Sequence, residues 1–171
     1  MTPREQEEYS ALRTTIRERG TARVWVFLVG IISWAAVTTA AAALASTPLA
    51  VLLPLLVLAA TFEAVFALHV GVERLGRYLQ VVHGDGWEQV AMAFGRPAGA
   101  IGLDALFSIV FVIATLFNFG PVLVTNPIGS ELVFVGGAHL LFVLRVIVAR
   151  ASAARQRGVD LARFQELKPE R

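Results

Sequence analysis

The stretch Thr47–Val82, TPLAVLLPLLVLAATFEAVFALHVGVERLGRYLQVV, decides the fold expected for the whole chain. Its apolar part, 49–70, is long enough to cross about 30 Å of hydrocarbon as a helix. The helical spacing of apolar residues continues to Val82, although charged residues appear after Val70. Glu63 lies within the apolar part, where an ionisable side chain is costly and is by default a candidate functional site. The stretch therefore predicts a transmembrane helix that continues beyond the membrane and carries an acidic group.

The composition extends this interpretation to the rest of the chain. Of the 171 residues, 56% are hydrophobic and 16% are charged, whereas soluble domains carry about 25% charged residues. The chain has no cysteine, which excludes disulfides, thiol catalysis and cysteine metal sites. Its basic residues flank apolar segments, so we expect them to contact anionic lipid headgroups rather than nucleic acid. The composition is that of an integral membrane protein.

Four apolar segments of membrane length predict an all-α, polytopic membrane protein with four transmembrane helices in a bundle. The predicted spans are 24–45, 49–70 with a helical continuation to 82, 98–119 and 131–148. They make up a transmembrane domain at 24–150. In the first span, small residues at Ala35, Ala36 and 40–43 predict a face for close helix contact.

Amphipathic segments flank this domain and are expected to be cytoplasmic. Residues 1–23 predict an N-terminal helix that ends at Gly20. Residues 151–171 predict a basic, helix-prone tail that Gly158 interrupts. Between the second and third spans, the segment 85–94 predicts a short helix at the membrane surface.

The distribution of positive charge predicts the topology. All 15 Lys and Arg residues lie in the two terminal segments, near the inner end of the fourth span, or between the second and third spans. The other two connections, 46–48 and 120–130, have none. The positive-inside rule then places both termini in the cytoplasm, and we expect a membrane of the bacterial inner-membrane type. Signal-peptide cleavage after Ala45 is the alternative, but the preceding segment is long and mixed in charge.

Helical periodicity places the polar residues of two spans on common faces. At about 100° per residue, five residues of the second span and its continuation fall within roughly 140° of one another. They are Glu63, His69, Glu73, Arg74 and Arg77, of which the last three form a polar stripe in the cytoplasm. In the third span the same arithmetic groups Asp104, Ser108, Thr115 and Asn118. Both faces are expected to point toward protein or water.

Depth estimates predict that three charged groups meet. At 1.5 Å per residue, Glu63 lies roughly 10 Å, Asp104 roughly 9 Å and Arg145 roughly 5 Å from the inner membrane edge. In one interpretation these groups form a sealed cluster that fixes the helix register, or Arg145 reaches the headgroups instead. In the other they form a proton or cation site, because burial and a nearby guanidinium shift a carboxyl pKa in opposite directions.

The two intramembrane histidines do not predict a cofactor. Paired histidines on two helices can hold haem iron, but the axial offset between His69 and His139 is on the order of 15 Å. No phosphate-binding loop, His-Glu-x-x-His motif or Gly-x-Ser-x-Gly motif is present. We therefore expect no metal, no cofactor and no catalytic residues. Both histidines are counted with the predicted ion site or buried polar cluster, in which a lone histidine more often serves hydrogen-bonded packing.

Three functions are compatible with the sequence. The first is a small proton- or ion-coupled transporter or channel, oligomeric because four short helices leave little room for a path within one copy. The second is a non-catalytic membrane scaffold or partner subunit that uses its cytoplasmic helices to bind a protein partner. The third is a membrane enzyme acting on lipid, in which His69 and Glu73 together would act as the general base. It is the weakest, because ordinary surface ion pairs on a helix have the same four-residue spacing.

Overall fold

The computed structural model describes residues 2–44, 47–84, 90 and 103–168, without the side chains of 44 and 103–106. This part of the chain is helical and contains no strand. Its helices are α1 (Pro3–Leu44), α2 (Leu52–Val82), α3 (Leu103–Phe119) and α4 (Gly129–Leu167), with short 3-10 turns at Pro48–Val51 and Gly120–Val124. Four helices are long and apolar enough to cross a membrane, which confirms the predicted all-α class and the four apolar segments of membrane length.

Three of the helices are much longer than a membrane is thick. α1 has 42 residues, α2 has 31 and α4 has 39, or about 63, 46 and 58 Å at 1.5 Å per residue. The predicted helix stop at Gly20 and the predicted interruption at Gly158 are therefore wrong. A Cβ atom at either glycine would meet nothing within 4 Å. Each glycine costs its helix only about 1 kcal/mol in propensity, which is too little to end a long helix.

The continuous helices give the molecule an apolar part and a charged part. We call the charged part the charged extension; it comprises 3–23 of α1, 71–82 of α2 and 150–167 of α4. Two predictions fall outside the described residues: the short helix at 85–94, apart from the helical assignment of Val90, and the first residues, 98–102, of the third span.

The apolar part is held together by interlocking aromatic rings around α2, which contacts all three other helices. Phe62 of α2 packs edge-to-face against Phe111 of α3 and Phe142 of α4, with ring centroids 5.2 and 5.9 Å apart. Phe27 of α1 meets Phe111 at 5.9 Å. Edge-to-face packing places the positive ring edge on the negative ring face and adds about 0.5–1.5 kcal/mol to the burial itself. These contacts make α2 the central helix.

Helices α1 and α2 approach each other closely at Gly30. A Cβ atom built on Gly30 would lie 2.1 Å from Cγ2 of Thr61, so no larger residue fits without movement. The alanine face predicted for this contact lies elsewhere on α1, since Ala35, Ala36 and Ala40 are exposed. The aromatic side chains of α1 that enter the core fix which side of the helix faces α2, and the alanine spacing did not reveal that side.

Candidate functional site

The predicted intramembrane acid forms an ion pair between α2 and α4. Oε2 of Glu63 lies 2.7 Å from Nη2 of Arg145. The Arg145 guanidinium also lies over the rings of Phe62 and Phe66, 6.0 and 5.7 Å from their centroids. The Glu63 and Arg145 side chains are nevertheless 48% and 43% exposed at the protein surface. The pair therefore lies on the outer surface of the helix assembly, beside the aromatic core.

The third member of the predicted cluster, Asp104, has its backbone at the start of α3, but its side chain lies outside the described residues. Its convergence with Glu63 and Arg145 stays a prediction. Ser108, one turn later, lines a groove of about 520 Å³ between α3 and α4 that also contains Arg150. Thr115 is buried and donates its hydroxyl to the Phe111 carbonyl within α3, at 2.7 Å.

The polar stripe of α2 ends, toward the C-terminus of the helix, at a buried arginine. Arg77 is only 3% exposed and bonds both Glu73, one turn earlier, and Asp160 of α4, whose Oδ2 lies 2.5 Å from Nη1. Nη2 of Arg157 lies 2.7 Å from the other oxygen of Glu73, and Nε of Arg74 lies 3.5 Å from Asp160. These five residues, which we call the arginine junction, fasten the end of α4 to α2.

Electrostatics keep the Asp160 carboxyl charged. Burial alone would raise the pKa of Asp160, but a hydrogen bond from Gln156, at 2.8 Å, and the charges of Arg77 and Arg74 outweigh it. The pKa of Asp160 therefore lies below its ordinary value, and the carboxylate is ionised at neutral pH. Sequence reasoning missed Asp160 and Arg157 because it treated 151–171 as a basic, helix-prone tail that Gly158 interrupts, with no contact to α2.

Two further contacts join α1 to the charged end of α2. Nη1 of Arg23 lies 2.9 Å from Nδ1 of His69, and because arginine only donates, this nitrogen accepts and a neutral ring carries its hydrogen on Nε2. That nitrogen lies 3.8 Å from Glu73. Further along, the Tyr78 hydroxyl donates to Oε1 of Glu8 at 2.6 Å. His69 is thus a bridge between α1 and the arginine junction.

At the opposite end of the apolar part, the buried Asn118 amide links α1, α3 and α4 with the 3-10 turn that precedes α2. Asn118 of α3 donates to the Val51 carbonyl at 2.9 Å and to Nε2 of His139 at 3.0 Å, and its oxygen accepts from the Trp34 indole at 3.3 Å. Nδ1 of His139 donates to the Val135 carbonyl at 2.8 Å. Each of these side-chain groups has its partner, so the network acts as packing and leaves the Asn118 amide no free donor for a ligand.

The structure divides the predicted polar residues into three groups. Glu63 pairs with Arg145 at the protein surface. The second group, in or next to the charged extension, consists of His69, Glu73, Arg74 and Arg77. Asn118 and His139 form the hydrogen-bond network at the opposite end of the apolar part. The two histidines thus have separate partners. Within the described residues, no group of three or more His, Asp or Glu side chains is placed to hold a metal ion.

Comparison of the chain with protein-family models, with curated proteins and with solved structures gave no match. The function is therefore argued from the contacts alone.

Proposed function

We propose that the chain is a non-catalytic membrane scaffold or partner subunit whose charged extension is a fixed cytoplasmic platform for another protein. The observation that carries the proposal is the buried Arg77, bonded to carboxylates of two helices. A charged side chain is stable in a buried site only if oppositely charged partners are well positioned around it. Such buried pairs are best known for fixing the position of one helix against another. A solvated tail needs no such fixation.

Two other features support a platform rather than loose ends. Helices α1 and α4 continue without interruption from the apolar part into the charged extension. The packing of their apolar segments therefore also positions their charged segments. Aromatic contacts also join the ends, since Tyr78 of α2 meets Phe164 of α4 with ring centroids 5.5 Å apart. The cytoplasmic location rests on the positive-inside rule, because the extension carries most of the Arg and Lys residues.

Site-specific photocrosslinking in native membranes tests this function. A photoreactive residue at Val159, which is exposed on α4, is expected to form a discrete adduct with the partner. The matched control is the same residue at Leu123, exposed at the apolar end. The Val159 adduct should fall at least about tenfold in an Arg77→Met background, where the platform is loosened. An adduct that is equally strong at Leu123, or that Arg77→Met leaves unchanged, would refute the platform.

The exposed pair of Glu63 and Arg145 supports a second candidate, a proton- or ion-coupled transporter or channel formed by several copies. An intramembrane carboxylate is by default a functional site, and its exposure at the surface of one copy suits a path shared between copies.

Flux through liposomes containing the purified protein separates the two candidates. If the second is correct, Glu63→Gln is expected to abolish a proton or cation flux, because the amide can neither carry the charge nor exchange the proton. The control is Glu131→Gln, an acid in the first turn of α4, which should leave the flux unchanged. A flux that Glu63→Gln does not alter excludes Glu63 from the path.

A further inference from the structure

The ion pair between Glu63 and Arg145 is in an unfavourable place for a single copy in a bilayer. Glu63 lies roughly 10 Å from the inner edge of its span, and its short side chain does not reach the headgroups. Charged groups in a membrane face protein or water rather than acyl chains. The Glu63 side chain is 48% exposed on the outer surface, so its exposed side needs contact with other protein or with water.

The surface around Glu63 is suited to close contact with another helix. The exposed residues of α2 in this region are Leu56, Ala60, Ala64 and Ala67, which fall within roughly 100° of Glu63 on the helix. Three of these four are alanines. Small side chains allow helix backbones to approach closely in a membrane, where van der Waals packing drives association.

The charges on this surface are self-complementary. Glu63 and Arg145 are adjacent and opposite in sign, so a twofold axis beside them would place Glu63 of one copy near Arg145 of its partner. An interface with twofold symmetry requires this kind of patch, because the same residues face one another across the axis. Each charge would then have two opposite charges beside it and no contact with acyl chains.

We infer that the exposed face of α2, with Arg145 of α4, binds a second copy of this chain in a twofold dimer. Four alternating charges, two from each copy, lie at the centre of the interface, and the alanines of α2 lie around them. This inference goes beyond the scaffold function, since it concerns the apolar part and not the charged extension.

The absence of native cysteine allows a direct proximity test in membranes. Ala64→Cys, next to Glu63 on the proposed face, is expected to form a disulfide-linked dimer on mild oxidation. Ile32→Cys is the matched control, because Ile32 is exposed on the apolar part of α1, outside the proposed face. The Ala64→Cys yield should exceed that of the control by about tenfold or more. Equal yields would overturn the proposed face.

Charge reversal tests the central pairing. In the Ala64→Cys background, Glu63→Arg alone and Arg145→Glu alone should each lower the yield of crosslinked dimer about tenfold, because each places like charges across the axis. Co-expression of the two variants should restore a crosslinked heterodimer, since the copies are then oppositely charged. Absence of this rescue, with both variants present in the membrane, would overturn the pairing.

A third variant covers the case in which the reversed chains do not fold. Ala64→Phe keeps both charges but prevents close approach, and single-molecule photobleaching in dilute liposomes should then count one copy per complex where the unaltered chain gives two. Dimers that persist in Ala64→Phe, or single copies of the unaltered chain, would overturn the interface. A dimer without flux would leave this inference intact and exclude only the transport function.

Discussion

Arg77→Met is expected to lower the free energy of unfolding by about 3 kcal/mol, at the lower end of the range for breaking a buried ion pair. The methionine fills similar space but leaves Glu73 and Asp160 without the guanidinium that both of them contact. Arg157 still compensates Glu73 in part, and Arg74 does so for Asp160, which is why the lower end is expected. The end of α4 should separate from α2 before the apolar part unfolds.

Thermal unfolding in detergent, followed by circular dichroism, and limited proteolysis by trypsin both measure this effect. Cleavage after Arg155 should become faster in Arg77→Met, since the end of α4 is released. The control is Arg163→Met, whose partner Glu166 lies 3.1 Å away with both side chains about two-thirds exposed. Such surface pairs contribute about 0–1 kcal/mol. Equal destabilisation by the two variants would contradict a special role for the arginine junction.

Removing both partners provides a second comparison. Arg77→Met combined with Asp160→Leu should be less destabilising than Arg77→Met alone, because the double variant leaves fewer buried charges without a partner. Greater destabilisation in the double variant would mean that Asp160 acts through contacts other than its pair with Arg77.

Gly30→Ala is expected to lower the free energy of unfolding by about 1–3 kcal/mol, as overpacking of a tight contact does. The added methyl would lie 2.1 Å from Cγ2 and 2.3 Å from Oγ1 of Thr61. Thr61 is buried, and its hydroxyl donates to the Val57 carbonyl at 2.8 Å, so rotation of the side chain gives up that bond. Helix α1 must therefore move away from the central helix.

The same thermal unfolding measurement checks this prediction, with a control on the same helix. Gly20→Ala adds a methyl group where nothing lies within 4 Å, and it should be neutral or stabilise the helix by up to about 1 kcal/mol. Gly30→Ala combined with Thr61→Gly should recover stability relative to Gly30→Ala, since the clashing side chain is gone. If Gly30→Ala and Gly20→Ala behave alike, α1 does not approach α2 closely at this point.

Residue patterns were sufficient for the helices but not for their ends. The long apolar segments and the helical spacing up to Val82 correctly predict four helices of membrane length and the continuation of α2. The pattern also predicts a stop at Gly20 and an interruption at Gly158, because isolated glycines lower helix propensity. Propensity is a small local term, and contacts of α1 and α4 with α2 outweigh it. Those contacts join residues far apart in the chain: the bond from Tyr78 to Glu8 spans 70 positions and that from Arg77 to Asp160 spans 83.

The same limit applies to the polar residues. Periodicity grouped Glu63 with Arg77 on one stripe, but the two have different surroundings, since Arg77 is buried and Glu63 is half exposed. A helical wheel gives the angle of each residue around one helix. It does not show which neighbouring helices bury that residue at its height along the helix axis. The depth estimate did bring Glu63 and Arg145 to within reach of each other, because both were measured from the same membrane edge.

Residue patterns alone predict long helices, four segments apolar enough to cross a membrane, and the confinement of charge to particular stretches. These properties follow from the length and transfer free energy of continuous segments, which are set by neighbouring residues. The packing of the helices is needed to know that Arg77 is buried between Glu73 and Asp160, that Asn118 meets His139, and that the pair of Glu63 and Arg145 lies on an outer surface. Those outcomes depend on which helix faces lie opposite one another, and packing between residues distant in the chain fixes that.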